Sequence, residues 1–440
     1  MYRDLTRGPI ARSLVLFALP MMAGNLLQQF YNIADTLIVG RALGTDALAA
    51  VGSAYTLMTF LTSILLGLSM GSGALFSIYR GRGDEASLRS AIAHAFGLIL
   101  LLTLALNAAV YAFLNPILHF LRVPATVWGG MREYLLVVFA GLVATSVYNY
   151  LACLLRALGN SAAPLVFLGV SALLNVGLDL LFVPVLGWGI AGAAWATVIA
   201  QYVSAAGMLV YVLAKCKSLL PKRSELHLNR SILGEIFHLS SLTCAQQSVM
   251  NFGILMVQGL VNSFGATVMA AFAAAVKIDT FAYLPVQDFG NAYSTFAAQN
   301  FGAKRTDRIR EGTRRAFLLS AGFGAALSIA VCALAAPLMR LFVDPGETAV
   351  VTAGVRYLRI EGALYAGIGC LFLFYGYFRA VQRPGVSVVL TAISLGTRVL
   401  LAYLLSALWG EVGIWLSIPI GWVLADLAGL WFMKARPLRV

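Results

Sequence analysis

Two aspartates in this 440-residue sequence sit where a carboxylate is costly: Asp35 inside the first long apolar run and Asp179 inside the fifth. A charge at a bilayer centre costs roughly 2.5–3.5 kcal/mol on insertion scales, so one that persists there marks a pathway or a pair. Asn175 precedes Asp179 by four residues, which puts the two side chains on one helical face. Asn149 and Thr197 offer further oxygens from the fourth and sixth runs. Two carboxylates with amide and hydroxyl oxygens suit either a proton or a hard cation such as Na+, with Asp35, Asn175 and Asp179 as the candidate metal ligands. Interhelical hydrogen bonding is the plainer reading of Asn175.

The second half carries another set: Lys277, Asp279 and Asp288 in the eighth run, Glu361 in the tenth, Arg398 in the eleventh and Asp426 in the twelfth. Lys277 and Asp288 are too far apart along one helix to pair. Structural ion pairs are expected for Lys277, with Glu361 or Asp426, and for Arg398. Asp288 and Glu361 are candidates to face a cleft and attract cationic substrates. Tyr31, Tyr148, Gln247 and Met256 join them as candidate cleft residues, because aromatic faces and methionines accommodate flat organic cations. Tyr31 has the strongest claim, lying one turn before Asp35. Pro20 and Pro285 lie inside apolar helices, where each is a hinge or a packing kink.

The elements that must hold these residues are membrane helices. Hydrophobic residues make up 60% of the chain and charged ones 11%, too few to cover a soluble domain of this size. Helices are expected near 14–40, 50–78, 90–114, 131–155, 163–183, 190–214, 234–260, 267–299, 315–336, 352–378, 386–407 and 412–433. The domains are expected to be 1–214 and 234–440, joined by a cytoplasmic linker at 215–233. With the amino terminus cytoplasmic, 23 of the 31 Lys and Arg residues fall on that side, among them Lys222, Arg223, Arg379, Arg436 and Arg439. Six, including Arg122, fall opposite. This asymmetry is the positive-inside rule and puts both termini in the cytoplasm of a multi-pass plasma (inner) membrane protein. The net charge of +13 is therefore topogenic, and no nucleic-acid partner is expected. Five scattered cysteines give neither a disulfide framework nor a metal site.

The two halves repeat. A shift of 221 residues brings Gly44 onto Gly265, Arg89 onto Arg310, Pro116 onto Pro337 and Pro124 onto Pro345. At 223, Tyr134 meets Tyr357 and Arg156 meets Arg379, and at 221 again Trp188 meets Trp409. Six crossings per half make this a parallel repeat, a frame suited to alternating access. The buried chemistry does not repeat: Asn175 falls on Arg398, Asp179 on Ala402, Thr197 on Ile418 and Asp35 on Met256. A coupling site in the first half alone is the expectation that follows.

Several segments resemble the multidrug and toxic compound extrusion (MATE) family, of bacterial type. They are residues 26–44 (LLQQFYNIADTLIVGRALG), 156–164 (RALGNSAAP), 175–181 (NVGLDLL), 189–193 (GIAGA) and 296–304 (FAAQNFGAK). The resemblance runs from about residue 10 to 430. It implies an all-α fold of twelve transmembrane helices in two pseudo-symmetric six-helix lobes. It also implies export of cationic and amphipathic organic compounds in antiport with H+ or Na+. Asp35 would be the central coupling residue, with Asn149, Asn175, Asp179 and Thr197 in the polar cluster of the first lobe. Some members use a glutamate in the seventh helix; here that stretch reads CAQQSVMNF, without an acid.

Competing classes are a flippase of lipid-linked precursors, an intramembrane enzyme, and a structural or receptor role. A flippase would need a basic cleft, whereas the first half offers acids. No metal or nucleophile motif supports an enzyme. The expected partners are small organic cations or drugs, H+ or Na+, and the lipid bilayer, with no cofactor and the chain acting as a monomer.

Overall fold

The computed structural model describes residues 3–121, 123–219, 228–344, 346–435 and 437–438. Arg122, Lys222, Arg223, Pro345, Arg436 and Arg439 lie outside them. Among the described residues the protein is helical throughout, with no strand. Twelve long helices follow one another: α1 (Ile10–Leu43), α2 (Thr45–Arg82), α3 (Glu85–Ala112), α4 (Ala125–Ala157), α5 (Ala162–Val185) and α6 (Gly189–Lys215). The second six are α7 (Arg230–Asn262), α8 (Ala266–Gly302), α9 (Thr306–Arg340), α10 (Thr348–Gly362 and Tyr365–Ala380, bent by 50°), α11 (Pro384–Trp409) and α12 (Glu411–Ala435). A short helix, Leu114–Phe120, links α3 to α4. The chain is an all-α membrane protein: ten of the helices are long and apolar enough to span a bilayer, and the bent α10 makes an eleventh. In α7, Gln246, Gln247 and Asn251 interrupt the apolar run.

Each expected helix is present, and α9 begins well before the expected 315. Its first turns carry Arg308, Arg310 and Glu311, good helix formers outside the apolar run that hydropathy detects, and Asp307, which suits the positive end of the helix dipole. Capping is local chemistry. Asp84 accepts from the Ser87 amide (3.0 Å) at the start of α3, and that bond holds its carboxyl below the usual carboxylate range. Asn160 does the same for α5 through the Ala163 amide (3.1 Å), while its own amide donates to Tyr211 (3.1 Å). Part of the 156–164 segment is thus a cap.

The repeat extends to backbone conformation. Left-handed residues fall in register: Gly44 (φ 86°) with Gly265 (93°), Gly83 (72°) with Lys304 (56°), Gly159 (89°) with Gln382 (58°), and Gly189 (63°) with Gly410 (59°). Lys304 and Gln382 keep a turn that their counterparts make with glycine, the residue that enters this region without steric cost.

By contact, the chain forms two compact units that cut through helices. Unit 1 comprises Arg3 and Ala23–Cys244; unit 2 comprises Asp4–Met22 and Ala245–Val440. The six-helix halves divide the chain by repeat, whereas these units divide it by packing, and the first parts of α1 and α7 are exchanged. Within unit 2, Leu5 is fully buried; its amide donates to Gln299 (3.2 Å) and its carbonyl accepts from Asn300 (3.2 Å). Arg305 and Arg308 donate to the carbonyls of Thr6 (2.9 Å) and Arg7 (2.8 Å). Within unit 1, the start of α7 lies on α2. Ser240 donates to the Leu68 carbonyl (3.0 Å), and Tyr79 donates to Glu235 (3.2 Å).

Candidate functional site

In unit 1, α1 and α5 bring Asp35 and Asp179 face to face, within reach of a shared proton. Asp179 is fully buried and Asn175, one turn earlier, nearly so. The Asn175 amide donates to the Thr197 hydroxyl of α6 (3.3 Å), and Thr197 donates back to its own helix at Ala193 (3.1 Å). Immediately after Asp179 the helix widens into a π-turn at Leu181–Val185 that contains Pro184. Such turns re-aim the preceding residues and are frequent at functional sites.

Unpaired buried oxygens define the site. Four buried oxygens, Asp35 Oδ1, Asn175 Oδ1 and both carboxylate oxygens of Asp179, receive no hydrogen bond among the described residues. All four are acceptors once the acids are ionised, and among the described residues no Lys or Arg charge acts on the two carboxylates. Two carboxylates in contact repel by about 4 kcal/mol even at an effective dielectric constant near 20. The arrangement therefore favours the uptake of positive charge, as protons or as a hard cation.

Of the other residues predicted for this cluster, Thr197 joins it through Asn175, whereas Asn149 is half-buried and no hydrogen bond ties it to the pair. Tyr31 faces Asp35 and lies near Tyr55 and Tyr148. The Tyr148 hydroxyl is committed to the Pro164 carbonyl (2.9 Å), so it serves the α4–α5 packing. Tyr134 was singled out only by the repeat, yet it faces both Asp35 and Asp179. Its counterpart Tyr357 likewise faces Glu361 and Asp279 in unit 2. The repeat alignment was the signal that could have found it.

Unit 2 places its candidates differently. Gln247 and Asp288 are buried and Met256 is exposed. Glu361 is buried beside Asp279 and Arg398. Lys277 points outward and enters no ion pair among the described residues, which corrects the expectation of a buried partner for it. Its position on α8 lies off the face that carries Asp279 inward. Arg379, counted as a topogenic loop arginine, is buried and donates to Ser294 (3.2 Å) and Asn291 (3.1 Å).

The profile of the family described as MatE matches residues 20–181 and 242–404. A probable multidrug resistance protein of Bacillus subtilis, YpnP, is 30% identical over 98% of this chain and 96% of its own length. An FAD transporter of Shewanella oneidensis is 24% identical over 96% of this chain and 94% of its own. Among solved structures, an outward-facing multidrug resistance MATE family transporter of the MOP superfamily superposes with a TM-score of 0.92. It covers 98% of this chain and 97% of its own at 20% identity, a likeness of fold.

Proposed function

The chain belongs to the MatE family of transporters, and from that premise we propose that it exports cationic and amphipathic organic compounds in antiport with H+ or Na+ bound at Asp35 and Asp179. The observation that carries this reading is the set of four buried acceptor oxygens on Asp35, Asn175 and Asp179 without a protein donor. Empty and doubly ionised, the pair is unfavourable in a low dielectric; a bound cation or proton neutralises it. Uptake of that charge and binding of a cationic drug then oppose each other, which is the electrostatic requirement of antiport. The coupling ion enters from the outside, where it is abundant, and is released inward after the drug has left. Thr197 acts as a positioning residue, fixing the Asn175 amide so that its carbonyl oxygen turns to the pair. The protein sits in the plasma (inner) membrane with both termini cytoplasmic, as the distribution of Lys and Arg favours.

The experiment is efflux of a fluorescent organic cation from proteoliposomes under an imposed proton or sodium gradient. Export should follow one of the gradients and be abolished in Asp35→Asn and in Asp179→Asn, since loss of a mechanistic charge removes the coupling itself. Undiminished export in both variants would sink the reading. A flippase of lipid-linked precursors, tested in the same vesicles by lipid scrambling, would instead be indifferent to both substitutions.

A further inference from the structure

Unit 2 holds a second cluster of buried ionisable groups, and its composition differs from that of unit 1 in one decisive respect. Asp279 on α8 and Glu361 on α10 are 7% and 3% exposed and face each other, with Arg398 on α11 close enough for its charge to act on both. Tyr357 and Tyr365 of α10 border the carboxylates, and Trp415 of α12 packs edge-on against Tyr357 at 4.9 Å. Cys332 of α9 lies near Tyr365. The unpaired buried atoms here are of both kinds: acceptors on Asp279 Oδ1 and Glu361 Oε2, donors on Arg398 Nε and Trp415 Nε1, and the Tyr365 hydroxyl, which is either. Tyr365 is fully buried and its hydroxyl lies beside the carboxylates.

We propose that Asp279, Glu361 and Arg398 form a second ion site that takes up a single proton, and that Arg398 is a tethered counter-cation which closes it to sodium and other metal ions. Charge balance, coordination chemistry and the repeat all favour this assignment. Two carboxylates and one guanidinium sum to one uncompensated negative charge, which a buried site sheds by binding one more positive charge. A guanidinium offers only donors and is always charged, so a metal ion would find its coordination incomplete and a cation beside it. Arg398 stands where unit 1 has Asn175, a neutral amide whose free oxygen can join a metal's ligands. The same position thus holds a ligand in one unit and a built-in cation in the other.

The test uses the full chain in lipid nanodiscs with Asp35→Asn and Asp179→Asn removing the titratable carboxylates of unit 1, so it reads binding and is independent of export. Infrared difference spectra between acid and alkaline buffer should contain a protonated-carboxyl band that Glu361→Gln and Asp279→Asn each remove or shift. A spectrum unchanged by either substitution overturns the proton site, and this arm needs no change at Arg398. Thermal unfolding in NaCl against choline chloride at equal ionic strength should show no sodium-specific shift while Arg398 is present. Arg398→Gln should gain one of about 2 °C or more, abolished by adding Glu361→Gln. A sodium-specific shift with Arg398 intact that Glu361→Gln abolishes overturns the proposal, as does its absence in a monodisperse Arg398→Gln protein.

Discussion

Thr197 touches no carboxylate, yet it decides which way the Asn175 amide faces. Its hydroxyl accepts from the amide nitrogen and donates to Ala193, so the free oxygen of Asn175 is left for the site. Thr197→Val leaves the amide without that partner at nearly constant volume, while Thr197→Ser keeps it. An intramembrane hydrogen bond averages about 0.6 kcal/mol and reaches about 1.7, equivalent to roughly three- to twentyfold in affinity. Half-saturation of efflux by the coupling ion should therefore rise by about that factor in Thr197→Val and return to the parent value in Thr197→Ser. Equal values for the two variants would show that the hydroxyl has no positioning role. The acids themselves were legible in the sequence, because an aspartate in an apolar run is conspicuous. Asn175 and Thr197 were legible beside them, but Tyr134, marked only by the repeat, is one of 17 tyrosines until folding sets it against Asp35 and Asp179.

At the scale of elements, the contact of α7 with α2 depends on two glycines. A Cβ on Gly71 would lie 2.5 Å from Ser240 Cα and 2.6 Å from the Leu239 carbonyl oxygen, and one on Gly67 would lie 2.6 Å from Cys244 Cα. These are backbone atoms and cannot swing aside, so the helices must part. Gly71→Val should lower stability by about 1–3 kcal/mol, the usual cost of overpacking. Gly52 on the same helix has open space around its Cβ direction, and Gly52→Ala should leave unfolding unchanged. Thermal unfolding of both variants in detergent checks the contrast; equal effects would mean that this contact does not hold α7. The turn at Gly159 makes a similar case, since a Cβ there would collide with the Arg3 carbonyl oxygen, whereas Gln382 in the repeat already carries a side chain. Gly67 and Gly71 stand four apart, the spacing that lets membrane helices approach closely, so the sequence carried the signal of a contact here without naming the partner helix.

For the whole molecule, the distribution of basic residues predicts the sidedness of every loop. In a cysteine-less background, Ser263→Cys and Asp344→Cys should react with a membrane-impermeant maleimide added to intact cells. Glu85→Cys and Asp307→Cys should react only after lysis. Labelling of all four in intact cells, or of the second pair alone, would reverse or dissolve the assigned topology. The same scale shows why unit membership departs from sequence halves. Leu5 is buried against Gln299 and Asn300, so the start of α1 packs with residues of the second half. That exchange has no sequence signal beyond a conspicuous Gln-Asn pair in the segment 296–304.

What the sequence determined by itself was everything carried by local composition. Helix count, the approximate place of each helix, the parallel repeat, the asymmetry of charge and the presence of acids in apolar runs all follow from runs, periods and residue types. Tertiary structure decided azimuth. A helix that is apolar on all sides does not announce which face turns inward, so nothing local told Lys277, which faces out, from Asp279, two residues on and buried. For the same reason only the packed helices could set Asp35 against Asp179, and Glu361 against Asp279 and Arg398. A pair of charges in a membrane is defined by which helix faces meet, and the chain sets those faces only when its helices pack.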